Sequence, residues 1–181
     1  YTVSYTLSLH DALPISAELC SPIAPTGSPV QVRQALPADA EALAELDAGL
    51  AAHIAASPVL MPHPRGRTPE TWREWLSRPT AVAILAESGP AACGFIKAEE
   101  PQFDVTDAVH GPSTLAINGL FVRPPARRVG LATRLLAALV SHARGIGKEM
   151  MSVDCETTNL EAYAFWSRHF RPVAWGMERR T

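Results

Sequence analysis

The fold class predicted from this sequence is α/β, a mixed sheet flanked by helices, and three observations lead to it. Two apolar runs, residues 81–87 and 92–98, flank Ser88-Gly89-Pro90-Ala91, turn chemistry that predicts an antiparallel hairpin. Further along, apolar strands at 115–122 and 150–155 bracket a strongly amphipathic helix, and crossovers of that kind join parallel strands. With 181 residues, of which 47% are hydrophobic, the chain can close one domain around a sizeable core.

The first stretch is set apart from that fold. Residues 6–16, Thr-Leu-Ser-Leu-His-Asp-Ala-Leu-Pro-Ile-Ser, match one reading frame of a common sequencing-library adapter. Residues 17–29 carry Pro22, Pro25, Gly27 and Pro29 among small polar side chains. Residues 1–29 are therefore expected to be a non-native, adapter-like leader with a flexible linker, the native N-terminus being lost. His10 and Asp11 are kept out of any site, and the folded domain is expected over 30–181.

Val30-Gln31-Val32-Arg33 alternates apolar and polar, as a half-buried strand does. Pro37-Ala38-Asp39-Ala40 opens a helix whose Leu43, Leu46, Leu50 and Ile54 form one apolar stripe. Prolines 58, 62 and 64 with Gly66 end it in a loop. Pro69 suits the first position of a short helix capped by Thr68, with Trp72, Trp75 and Leu76 as its apolar face. After the hairpin, 99–113 is a polar loop in which His110 is expected to meet solvent. Leu131, Leu135, Leu136, Leu139, Val140 and Ala143 share one helical face, and Gly145 followed by Gly147 ends that helix. Thr157, Thr158 and Asn159 offer caps for a helix through about His169, and 172–177 reads as a last strand.

The chemistry concentrates at residues 115–132. Pro124 and Pro125 cannot donate to a ladder, so the central strand stops before them. Arg127-Arg128-Val129-Gly130-Leu131-Ala132 then leads into the long helix. Strand, short Arg- and Gly-bearing loop, and helix N-terminus make an anion cradle, because unpaired N–H groups and the positive dipole end point the same way. The backbone amides of Arg128, Val129, Gly130, Leu131, Ala132 and Thr133 are expected to hold phosphate, with Arg127 or Arg128 free to meet its charge. Neither Gly-Lys-Ser/Thr nor the three-glycine dinucleotide fingerprint is present, which excludes P-loop and Rossmann readings.

Arg127, Gly130 and Ala132 fill the defined positions of Gln/Arg-x-x-Gly-x-Gly/Ala, and the segment resembles the acetyl-CoA diphosphate loop of the GNAT (GCN5-related) N-acetyltransferase superfamily. Downstream, Asn159-x-x-Ala162-x-x-Phe165-Trp166 is similar to that family's Asn-x-x-Ala-x-x-Phe-Tyr segment. The element order over 30–178 agrees with the GNAT fold, whose central sheet is mostly antiparallel. The resemblance implies acetyl-CoA as co-substrate and an amine acceptor, small molecule or peptide. It implies that Leu120, Phe121 and Val122 expose backbone to the pantetheine arm where the central strand splays from the next, Gly119 easing a bulge. It also implies that Asn159 touches the arm, with helix capping as the alternative reading. His53, His63, Arg65, Arg67, Trp72 and Trp75 fall where the family lines its acceptor site, although core tryptophans and solvated arginines would serve equally.

Three departures leave the catalytic residues unassigned. Trp166 stands where the family has its tyrosine acid, and an indole N–H does not ionise; Tyr163 lies on roughly the same helical face and could substitute. Asn118 stands where many members carry a carboxylate base, with Asp154 and Glu156 the nearest carboxylates. Arg168-His169-Phe170-Arg171-Pro172 lacks the family's glycine after the last helix. Positioning alone can remove about 7–11 kcal/mol of barrier, so transfer survives these losses. The leading expectation is a cytoplasmic, bacterial-type acetyl-CoA-dependent N-acetyltransferase; the alternative is a catalytically silent acyl-CoA-binding sensor or interaction domain. A net charge of -2 gives no case for nucleic acid or membrane partners. Cys20, Cys93 and Cys155 lack metal-site or disulfide spacing. The C-terminal strand could pair with another chain as a homodimer.

Overall fold

The computed structural model describes residues 2–8, 29–56, 58–59, 66–101 and 111–176. The strands are β1 (Thr2–Ser8), β2 (Val30–Gln34), β3 (Val82–Ser88), β4 (Ala91–Glu99), β5 (Thr114–Val122), β6 (Met150–Glu156) and β7 (Arg171–Gly176). The helices are α1 (Ala40–Ala55), α2 (Pro69–Leu76), α3 (Leu131–Gly145) and α4 (Leu160–His169). One seven-stranded sheet runs in the order β2-β3-β4-β5-β6-β1-β7. β3 and β4 form the expected antiparallel hairpin. β5 and β6 are parallel, joined through α3. The mixed, mostly antiparallel sheet flanked by helices agrees with the fold class read from the sequence.

Ahead of Val30, inside the segment set apart in the sequence, lies β1, which pairs antiparallel with both β6 and β7. Thr-Val-Ser-Tyr-Thr-Leu-Ser is rich in β-branched and aromatic residues, and without it β6 and β7 would each present an unpaired edge. That pairing fixes where the segment sits and leaves its origin open. β7 ends the sheet, the position that pairing with another chain would require.

The sheet has a core on each face. On one, Ile84, Ile96, Leu115 and Ile117 meet Leu135, Leu136 and Leu139 of α3, with Trp166 and Phe170 closing the end. On the other, Leu43, Leu46, Trp72 and Trp75 of α1 and α2 cover Leu85, Phe95 and Phe121. Each such side chain contributes about 1.5–3 kcal/mol through burial. Thr68 accepts from the Thr71 N–H to cap α2, with Pro69 in its first turn, as the sequence predicts. Gly147, at φ 76°, takes the left-handed turn after α3, and the Lys148 N–H reaches back to Ala143 O at 2.9 Å.

A bulge sets up the site. β4 and β5 pair Lys97 with Gly119 and then Ala98 with Ile117, leaving Asn118 as the extra residue on β5. One inserted residue reverses the alternation. Leu115 and Ile117 therefore face α3, whereas Phe121 faces α1 and α2. The Lys97 stem crosses Gly119: a Cβ there would lie 2.6 Å from Lys97 Cε, so a larger residue would displace that side chain.

Candidate functional site

β5 and β6 stay paired only from Thr114↔Met150 to Ile117↔Val153, although β5 continues to Val122 and β6 to Glu156. Their ends splay, and a cleft of about 800 Å³ opens between them. Beyond the bulge, β5 keeps its ladder with β4, and among the described residues no strand covers its other edge at Leu120, Phe121 and Val122. All three line the cleft.

The loop closes one end of that cleft. Pro124–Ala126 make a short 3-10 turn, in which the Ala126 N–H donates to Arg123 O at 2.9 Å and the Arg127 N–H to Pro124 O at 3.2 Å. The chain then turns left-handed at Arg128 (φ 63°) and Gly130 (φ 77°) and enters α3. The first helical bond runs from the Arg134 N–H to Gly130 O at 3.1 Å. Among the described residues no protein acceptor meets the N–H groups of Arg128, Val129, Leu131, Ala132 or Thr133. These are the orphan donors of a helix start, concentrated by the preceding turn.

The two arginines differ. Arg127 folds back over the Phe121 ring, its Nε donating to Val122 O at 2.8 Å and its Nη1 3.3 Å from Glu161. It is therefore committed to protein partners rather than free, because the splayed strand leaves the Val122 carbonyl without a ladder partner. Arg128 is exposed and carries no ion pair among the described residues.

Across the cleft, Asn159 is buried and its Oδ1 accepts from the Ala162 N–H at 3.1 Å, so the capping role is present. It also lines the cleft, and its amide nitrogen has no protein partner among the described residues. Trp166 is core, edge-on to Phe165 and Phe170. Tyr163 is 38% exposed and does not line the cleft, which removes it as a stand-in acid. Asp154 and Glu156 reach the lining from β6.

The far end holds residues that sequence reading missed. Glu99 Oε1 accepts from Asn118 Nδ2 at 2.6 Å and Oε2 from Trp75 Nε1 at 3.1 Å, with Arg78 3.6 Å away. Asn118 thus holds a carboxylate beside it. Asp47 accepts from the Arg67 N–H at 2.8 Å and faces Lys97 Nζ at 4.0 Å. Lys97 lies against the Trp72 ring, 5.4 Å from its centroid. A charge amid the apolar run of β4, and another beside the stripe of α1, were the available signals. Of the expected acceptor-side residues, His53 and Arg67 line the cleft, and Trp72 and Trp75 are core that backs it. His63, Arg65 and His110 lie outside the described residues.

Burial pushes the Cys155 thiol up to about 12, helped by Glu156 and Asp154, and raises that of Cys93. Neither suits a nucleophile at neutral pH. No metal-holding cluster and no helix long and apolar enough to cross a membrane occurs among the described residues.

The sequence pattern of the acetyltransferase (GNAT) family matches residues 49–170. No curated protein matches the chain. Among solved structures, the chain is similar to the aminoglycoside N-acetyltransferase AAC(6')-Iy in complex with CoA, at 21% identity and TM-score 0.66, over 88% of this chain and 99% of that one. A mutant of the BH1408 protein from Bacillus halodurans aligns at 16% identity and TM-score 0.70, over 83% and 99%. The ribosomal-protein-alanine N-acetyltransferase from Brucella melitensis biovar Abortus 2308 aligns at 15% identity and TM-score 0.60, over 84% and 98%.

Proposed function

Because the chain belongs to the GNAT acetyltransferase family and is an acetyl-CoA-dependent N-acetyltransferase, we propose that the splayed β5/β6 cleft is its active site. The observation that carries this is the junction of two open sets of backbone groups, the N–H groups of Arg128, Val129, Leu131, Ala132 and Thr133 and the uncovered β5 edge, along one cleft. The first set suits a diphosphate; the second suits the amide-bearing arm of coenzyme A. The Asn159 amide nitrogen stands across the cleft to meet the same arm. Exposed Arg128 is the cation for the phosphates, and Arg127 serves by holding the strand end.

Acetyl-CoA supplies the activated acetyl group. The acceptor, a small-molecule or peptide amine, enters from the α1 side, where Glu99 is the carboxylate placed to hold its ammonium and take its proton. Trp75 and Asn118 fix the Glu99 oxygens. No side chain is assigned as acid for the departing thiolate, which leaves water that role. A cytoplasmic location accords with the free, buried Cys93 and Cys155.

The test is thiol release from acetyl-CoA over an amine panel, for the native chain and Glu99→Gln. General-base loss is expected to lower kcat by about 10²–10⁴-fold, with the dissociation constant for acetyl-CoA unchanged. Tight acetyl-CoA binding without turnover on any amine would instead favour the silent binding module.

A further inference from the structure

The acceptor end of the cleft contains a cation in an unusual setting. Lys97 is 4% exposed, yet it lines the cleft. Its stem crosses Gly119 at the bulge, so the ammonium is carried toward α1 and the mouth of the splay. There it faces the Trp72 ring at 5.4 Å and Asp47 Oδ1 at 4.0 Å. Both neighbours attract a positive charge. Neither accepts a hydrogen bond from it, since 4.0 Å exceeds hydrogen-bond reach. Among the described residues no other acceptor meets its three donors. The stem is buried while the ammonium opens onto the cleft: among the described residues Trp72 Nε1, not Lys97 Nζ, is the buried side-chain nitrogen left without a partner. The donors of Lys97 are therefore turned to whatever fills the cleft.

Arg67 adds to the excess. Its guanidinium lies 5.6 Å and 5.8 Å from the Trp72 and Trp75 rings and lines the same cleft. Among the described residues its side chain has no carboxylate partner, and Asp47 is engaged by its backbone N–H instead. Glu99 pairs with neither cation: its oxygens accept from Asn118 and Trp75 and face Arg78, and each keeps a lone pair for the amine. Two cations therefore share one carboxylate beside the place where the acceptor amine would stand.

We propose, resting on the acetyltransferase reading of this cleft, that the acceptor carries an anionic group, carboxylate or phosphate, near its amine, and that Lys97 and Arg67 bind it. The amine faces Glu99 and the anion faces Lys97. These two residues lie on the same face of β4, two positions apart, a spacing of about 7 Å along a strand. Two charged side chains that neighbour each other on one face suit a compact acceptor, an amino acid or aminoalkyl phosphate, whose amine and anion lie a few bonds apart.

Thiol release is measured with saturating acetyl-CoA and matched amines: short amino acids, their carboxamides, aminoalkyl phosphates and polyamines. The anionic members are expected to exceed their neutral isosteres by about tenfold or more in kcat/KM, chiefly through KM. The ranking of carboxylate against phosphate names the source. Lys97→Met is expected to bring the ratio close to unity; should that variant fail to fold, Arg67→Gln reads the same ratio from a half-buried position. Carboxamides or polyamines equal to or better than the anionic members would overturn the inference and leave the acetyltransferase assignment standing. Silence toward every amine, with acetyl-CoA bound, would overturn both.

Discussion

Gly130 carries two demands at once. Its φ of 77° is a left-handed value, and it sits at the N-terminus of α3 among the open N–H groups. A side chain there meets backbone strain of roughly 1–2 kcal/mol and projects toward the phosphate position. Asn and Asp tolerate the left-handed region about equally, so the pair separates strain from charge. Gly130→Asp is expected to weaken acetyl-CoA binding about tenfold more than Gly130→Asn, by calorimetry, because the carboxylate competes for the same donors. Equal affinities in the two variants would remove phosphate from this loop. Arg127 marks the limit of reading residues singly. Its place in the motif was legible, but its commitment to Val122 O follows from the splay of β5, which no local pattern reports.

Elements explain which parts could be read in advance. The α3 stripe and the β3/β4 hairpin announce themselves through periodicity and turn chemistry, and both stand close to their expected bounds. The bulge beside Gly119 was legible only through the family resemblance and stands where that placed it; periodicity does not report it, because β5 is apolar toward both faces. Glu99, Lys97 and Asp47 converge only through the pairing of β4 with β5 and the packing of α1 on it. The loop before α2 docks with similar closeness: a Cβ on Gly66 would lie 2.7 Å from Ala48 N and 2.9 Å from the Asp47 carbonyl carbon. Backbone cannot yield as a side chain tip would. Gly66→Ala is therefore expected to push the loop off α1 and break the 2.8 Å bond from the Arg67 N–H to Asp47. Overpacking of this kind costs about 1–3 kcal/mol, measurable by urea titration. The KM for the acceptor should rise while acetyl-CoA affinity holds. Unchanged stability and KM would mean that the loop does not shape the acceptor end.

At the scale of the whole molecule, the acid side of the stability profile follows from two groups far from each other. Arg33 forks onto Asp39 and Glu87, tying the start of α1 to the β2/β3 edge, and holds the Asp39 carboxyl below its usual range. Its contribution is present above the unfolded carboxylate range, near pH 4, and is lost as pH falls through the lowered folded value. His169 acts earlier. Burial against Phe165, then repulsion from Arg168, hold its pKa below 6.5. The unfolded chain thus binds the proton more readily, so the stability is complete above pH 6.5 and declines as pH drops from there toward the folded value. His169 ends α4, the helix whose first residues bring Asn159 and Ala162 to the cleft. Melting temperatures of the native chain are expected to fall between pH 7.5 and 5.5, whereas His169→Gln, which cannot take up the proton, should show a flatter profile over that interval. Parallel profiles for the two proteins would assign the acid sensitivity to other groups.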